Sequence, residues 1–352
     1  MDTRPSLDLV RSLTDEHVLR ALMRHRRLTR AELAAETGIS KPTAGESVRR
    51  LTERGLVADT GERTPGGRGR GRVGSYYSLA AGVGTALAVS IAPEGVVAEC
   101  LDAYGDTVRR AERPARPEHV AEALREVAAE VGGQPRLAVV SAADPVDRAT
   151  GRLVHLPDSP FLVGELDPAT ILGGPVLVDN DVNWAARAER VSQGDDFAYL
   201  FLGAGLGCAI VGDGEIRRGR SGLAGEIAHL LTAGPDGRAT PFIEVFAQLG
   251  LRRPGSTAID VERLLAAAES TRDAIGRAVA GVVAAAVTLA DPGRVIVGGS
   301  WGPGLLPDIR AAVGELPRGA PVEPATVTDQ PSMAGARAEA VSRLRALIAQ
   351  TG

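Results

Sequence analysis

The chain has 352 residues, of which 44% are hydrophobic and 24% charged, which is more than one hydrophobic core usually holds and excludes a disordered or collagen-like protein. Two cysteines, Cys100 and Cys208, both in apolar runs, exclude a disulfide scaffold and a cysteine-rich zinc site. The net charge of −4 divides unevenly: residues 1–80 hold 15 Lys+Arg against 10 Asp+Glu and the remainder 25 against 34, the pattern of a small nucleic-acid-binding unit on an acidic body.

Val18, Leu19, Leu22 and Met23 predict an amphipathic helix over residues 15–27, with acids in its first turn and bases in its last. Thr29 and Glu32 stand in capping-box spacing before a second helix, about residues 30–36, which stops at Gly38. Ser40 caps a third helix whose first turn tolerates Pro42. Along it Ala44, Val48 and Leu51 face inward, leaving Lys41, Thr43, Gly45, Glu46, Arg49 and Arg50 outward. Two helices, a glycine turn and a helix make a helix-turn-helix, whose last helix enters the major groove; any small three-helix bundle has the same pattern.

Residues 56–60 and 75–79 read as paired strands, and the PGGRGRGRVG stretch between them carries Arg68, Arg70 and Arg72, either as a basic wing or as a solvated linker. The expected DNA contacts are therefore Ser40, Lys41, Thr43, Glu46, Arg49, Arg68, Arg70 and Arg72. Glu46 repels phosphate but can accept from cytosine N4, and Gly45 inside a helix costs ~1 kcal/mol relative to Ala.

From residue 81 onward strands at 85–91, 96–101, 136–141, 175–178, 198–202, 208–211 and 294–297 alternate with helices at 117–131, 182–192, 241–249, 270–289 and 333–349. This predicts an α/β body with mixed sheets in two lobes. VDNDVN, residues 178–183, sits where a strand passes into a helix; Asp181 there can serve as a general base toward a sugar hydroxyl that Asn180 orients, or both can simply cap the helix. LGAGLG, residues 202–207, either offers amides to an anion or is an ordinary hairpin turn. GEIAH, residues 225–229, followed by Glu244, supplies Glu226, His229 and Glu244, which can bond the hydroxyls of a polyol. As a zinc site it lacks ligands, because the segment up to Glu244 has no cysteine and no second histidine.

Taken together these motifs resemble the ROK family, named for repressors, open reading frames and sugar kinases. LTRAELAAETGISKPTAGESVRRLTERGLVADTG looks like the winged helix-turn-helix of its transcription-factor branch. VDNDVNWAARAE resembles its catalytic motif, FLGAGLGCAIVGDGEIRRGRSGLAGEIAHL its phosphate loop and signature, and DPGRVIVGGS its nucleotide-side strand. The resemblance implies an α/β fold: an N-terminal winged helix-turn-helix, residues 1–80, followed by a two-lobed actin-like/sugar-kinase (ribonuclease H-like) body, residues 81–352. It further implies that Asn180, Asp181, Glu226, His229 and Glu244 contact a sugar, with Asp181 as the base in the kinases.

Two departures bear on function. The family's kinases open with an Asp followed by Gly-Gly-Thr; here Ser90 replaces the Asp, Ala92 and Pro93 the glycines, and Glu94 adds negative charge. Proline has no N–H to offer a phosphate and a carboxylate repels one. Ala204 likewise replaces a hydroxyl residue usual in the second phosphate loop. The family's Cys-x-Cys-Gly-x-x-Gly-Cys-x-Glu zinc motif appears at residues 237–244 without its cysteines.

The expectation is a sugar-responsive DNA-binding regulator, a repressor of carbohydrate-utilisation genes, in which Asp181 is a vestigial base and neither cofactor nor metal is required. Expected partners are operator DNA with an inverted repeat, a sugar or sugar-phosphate effector, and further copies in a homodimer or dimer of dimers, since one helix reads too few base pairs alone. Without an apolar leader or a run of ~18 apolar residues, a cytoplasmic location without membrane contact is expected. The alternatives are an active sugar kinase with a fused DNA-binding unit, and a ligand-independent DNA-binding protein controlled by a protein partner.

Overall fold

A computed structural model describes residues 7–64, 74–154 and 165–351. The head comprises α1 (Leu7–His25), β1 (Arg27–Thr29), α2 (Arg30–Thr37), α3 (Lys41–Glu53), β2 (Val57–Arg63) and β3 (Ser75–Leu79). Its helix boundaries follow local chemistry. Thr29 Oγ1 accepts from the Glu32 amide at 3.2 Å while the Thr29 amide donates to the Glu32 carboxylate at 2.8 Å, a reciprocal cap for α2. Gly38 ends α2 at φ 72°, and Ser40 Oγ accepts from the Thr43 amide at 3.2 Å to open α3.

Two features differ from the pattern the apolar spacing predicts. The first helix begins at Leu7, not near residue 15, with Leu9, Val10 and Leu13 exposed along its added turns. β1 joins the two expected strands in an antiparallel sheet of order β1-β3-β2, pairing Leu28 with Tyr77.

The body's first lobe contains β4 (Ala86–Ala92), β5 (Gly95–Leu101), β6 (Thr107–Arg113), α4 (Val120–Val131), β7 (Leu137–Ala142), α5 (Pro168–Leu172) and β8 (Val176–Asn180), and α6 (Asp181–Gln193) leads out of it. The second lobe is longer. It runs through β9 (Phe197–Leu202), β10 (Leu206–Gly212), β11 (Glu215–Ile216), the small hairpin of β12 (Leu231–Ala233) and β13 (Ala239–Pro241), α7 (Phe242–Gln248), α8 (Val261–Leu265), α9 (Glu269–Ala290), β14 (Val295–Gly298), α10 (Leu306–Gly314) and β15 (Val322–Pro324). α11 (Pro331–Gln350) closes the described chain.

The two large sheets follow one path twice. Their orders are β6-β5-β4-β7-β8 and β11-β10-β9-β14-β15, each an antiparallel three-strand meander extended by two parallel strands. One mixed five-stranded sheet is thus used twice, as the two-lobed body implied by the resemblance requires. α9 is long and apolar enough by composition to cross a membrane, but its Ile275, Val279, Val283 and Val287 are buried in the second lobe's core beside α10 and β12.

α11 returns to the first lobe, where it packs on α6, β4 and β7 and touches α1 of the head. Gly335 makes the α6 contact possible, since a Cβ there would overlap the Trp184 carbonyl oxygen. One hydrophobic cluster consequently runs from Leu19 and Leu51 in the head through Leu79 and Ala88 to Trp184, Leu344 and Ile348. Tyr104 adds a polar seam: its hydroxyl accepts from the Leu79 amide at 3.0 Å and donates to the Arg26 carbonyl at 3.1 Å, while Arg26 pairs with Asp106.

Candidate functional site

The parallel strands β7 and β8 end side by side, and the chain turns from β8 into α6 at Asn180. Asn180 is the cap of that helix: its side-chain oxygen accepts from the Val182 amide at 2.9 Å, and its amide donates to the carbonyls of Ala142 at 3.4 Å and Asp144 at 3.5 Å. Asp179, buried, accepts from Asn183 Nδ2 at 2.7 Å and Arg218 Nε at 2.6 Å, which fastens the start of α6 to the segment after β11. With those neighbours engaged in structure, Asp181 occupies the first turn, at the positive end of the helix dipole.

Burial pushes the Asp181 carboxyl up to about 7, and the nearby charges of Glu226 and Asp144 add to the effect, against a lowering hydrogen bond from the Val182 amide. Glu226 is likewise pushed up to about 7, first by the protein mass around its carboxyl and then by Asp144, although the side chain keeps solvent access at the rim. Gly225 sets this approach. At φ 97° its carbonyl accepts from the Cys208 amide at 2.9 Å, and a Cβ would collide with the Cys208 carbonyl, so only glycine lets the segment lie against β10. The structure thus brings together Asn180, Asp181, Glu226 and a residue the motifs missed, Asp144, which is 2% exposed. The available signal for Asp144 was its place as the first acid after the wholly buried strand β7.

His229 and Glu244 lie in adjoining segments. The turn at residues 227–230 is bonded to the start of α7 through Ile243 N to Ala228 O and Phe242 N to Leu230 O, both 2.9 Å. His229 is exposed, whereas the Glu244 carboxylate accepts from Arg252 Nη2 at 2.9 Å, an ion pair that the sugar-contact expectation did not include. Where the cysteine motif is missing, the β12–β13 hairpin is followed by fully buried Phe242, edge-on to Phe246 at 5.4 Å, which in turn packs on Trp301 at 5.7 Å. An aromatic cluster therefore anchors the segment that carries Glu244.

The glycine-rich turn at residues 202–207 is the β9–β10 hairpin, and its carbonyls are occupied: Gly203 O accepts from the Trp301 indole and Ala204 O from the Ile259 amide, both at 2.9 Å. The stretch from Ser90 to Gly95 forms another hairpin, in which Ala92 pairs directly with Gly95 across Pro93 and Glu94.

On the head, Ser40, Lys41, Thr43, Glu46 and Arg49 are exposed on and before α3. Ser40 and Thr43 share a 2.7 Å hydroxyl contact, and Arg49 pairs with Glu46 at 2.9 Å and Glu53 at 2.6 Å. Arg50 departs from its expected outward position. Buried Asp15 on α1 needs donors, and it draws Arg50 across at 2.6 Å together with Ser47 at 2.5 Å. Arg68, Arg70 and Arg72 lie outside the described residues.

A ROK family model matches residues 99–241, and a winged helix-turn-helix DNA-binding model matches residues 11–58. The bifunctional enzyme NanE/NanK of Brucella suis is 31% identical over 158 residues, covering 41% of this chain and 30% of that protein. The N-acetylmannosamine kinase of Salmonella newport is 29% identical over 169 residues, covering 44% and 56%; the chain thus spans only part of each of these relatives.

Among solved structures, a ROK family transcriptional regulator, a homologue of the E. coli MLC protein, superposes with a TM-score of 0.62 at 18% identity over 97% of this chain and 100% of its own. The ROK glucokinase of Streptomyces griseus, in complex with glucose and AMPPNP, superposes with a TM-score of 0.53 at 25% identity over 73% of this chain and 99% of its own. The chain carries a ROK family domain behind an N-terminal winged helix-turn-helix.

Proposed function

We propose that the protein is a sugar-responsive transcriptional regulator, a repressor of carbohydrate-utilisation genes, whose body binds a sugar or sugar phosphate without transferring phosphate. The observation that carries this reading is the pairing, within one chain, of a winged helix-turn-helix with a body that keeps Asn180, Asp181 and Glu226 together. Asn180 and Asp181 orient a sugar hydroxyl, Glu226 bonds a second, and His229 extends from the adjoining turn. Glu244 reaches sugar only by sharing its carboxylate with Arg252.

The tight turn from Ala92 to Gly95 supports loss of phosphoryl transfer: a proline and a carboxylate stand where a phosphate would need amides. Ser40, Lys41, Thr43, Glu46 and Arg49, with Arg68, Arg70 and Arg72, face operator DNA as part of a homodimer or dimer of dimers on an inverted repeat.

A second reading, an active sugar kinase with a fused DNA-binding unit, is favoured by Asp181 itself, whose carboxyl at about 7 is poised as a general base. A coupled ATP-turnover assay across hexoses and amino sugars separates the two. The regulator reading requires no sugar-dependent turnover together with a sugar-dependent change in DNA binding; turnover at about 1–100 per second would overturn it.

A further inference from the structure

Gly45 sits in the middle of α3, on its outward side, where a glycine weakens a helix. The fold does not ask for it. Gly45 is not among the positive-φ glycines, and an added Cβ would meet only Arg30 Cδ, at an ordinary 3.9 Å. Gly225 and Gly335 show the opposite case, where a Cβ collides with backbone. A bare turn on the exposed face of α3 that nothing inside the chain requires points to something outside the chain that comes close.

Arg30 lies beside that turn. It is the first residue of α2, it is exposed, and its guanidinium rests over the Tyr77 ring at 5.1 Å. Neighbouring arginines of the head are neutralised: Arg27 by Glu62, Arg49 by Glu46 and Glu53, Arg50 by Asp15, and Arg63 by Asp59. Among the described residues no carboxylate pairs with Arg30. A cation held in place by a ring, without a counter-charge, next to helix backbone stripped of side chain, matches a strand of nucleic-acid backbone.

We propose that one strand of bound duplex DNA packs against α3 at Gly45, with Arg30 contacting the phosphate of that strand, and that this contact sets how deeply α3 enters the major groove. The inference rests on the reading of the head as a DNA-binding unit and adds two residues to it. Gly45 supplies proximity by lacking a side chain, and Arg30 supplies charge from a neighbouring helix.

The test uses the full chain and a duplex selected by the wild-type chain from a random-sequence library. G45A should melt about one or two degrees higher, because alanine favours the helix, yet bind the selected duplex roughly tenfold more weakly. R30Q should flatten the dependence of log affinity on log salt by about one phosphate contact. A G45A protein that binds as tightly as wild type, or that melts lower, overturns the proposal, as does an unchanged salt slope in R30Q. A wild-type chain that selects no duplex overturns the DNA-binding reading and this contact with it.

Discussion

Asp181 and Glu226 lie within reach of Asp144's charge, and the protons they hold bear on stability and, if the body binds sugar as proposed, on sugar affinity. Because both carboxyls are raised toward about 7, the folded chain holds protons that the unfolded chain has already released above about pH 4. Stability of the free protein should therefore fall as pH rises from about 4 to 7 and level off above, which urea titrations across pH will read. A sugar hydroxyl donates best to the ionised carboxylate, so sugar affinity should rise between about pH 6 and 8.

Asp181→Asn should leave only the part of that dependence carried by Glu226 and weaken sugar binding by about one to two orders of magnitude, while operator affinity without sugar stays unchanged. Calorimetry with a sugar identified by thermal-shift screening checks the first effect and fluorescence anisotropy the second; a normal sugar response would place the effector elsewhere. DNDVN made Asn180 and Asp181 visible in the sequence because the motif is local. Asp144 and Arg218 were not visible, since each reaches its place through a strand end or a loop distant in sequence; Arg252 is only eight residues from Glu244, but no motif marks their pairing across the end of α7.

At the scale of elements, boundaries set by neighbouring residues were readable. Thr29 with Glu32, Gly38 and Ser40 cap as their spacing implies, and Thr29→Ala should cost about 1 kcal/mol in head stability, measured by chemical denaturation. Elements that depend on the sheet were not. β6 reads TVRRAER, a charged edge strand in which only Val108 and Ala111 are apolar and Val108 is exposed, so alternation gives no signal. β1 is three residues long and exists because Leu28 pairs with Tyr77.

α6 and α11 pack closely along their length. Trp184 donates its indole N–H to the Val140 carbonyl at 2.9 Å, its own carbonyl lies against Gly335, and buried Glu339 joins Arg187 on α6 to Arg343 on α11. Gly335→Ala must push the helices apart and should destabilise the chain by about 1–3 kcal/mol, read as a lower urea midpoint.

At the scale of the whole molecule, two lobes with mixed sheets were anticipated from the alternation of elements and an actin-like body from the resemblance, but not the individual strand pairings. The order itself comes from long-range pairing that no local pattern encodes. If two copies present α3 to an inverted repeat, footprinting will show paired protected half-sites separated by about one helical turn or a multiple of it; a lone half-site would argue against a symmetric assembly.

The shared core that joins Leu19 and Leu51 to Leu344 and Ile348, with Tyr104 stitched to Leu79 and Arg26, has a practical corollary. The head is not a detachable cassette. Grafting the first eighty residues onto another body, or expressing them alone, would leave Leu51 and Leu79 without part of the surface that covers them. A chimera that exchanges operator preference between such proteins should fold only when the donor head travels with the last turns of α11 and the loop bearing Tyr104. If α3 reads the operator as proposed, new operator preference should be easier to obtain by substitutions on the exposed face of α3 than by replacement of the whole head.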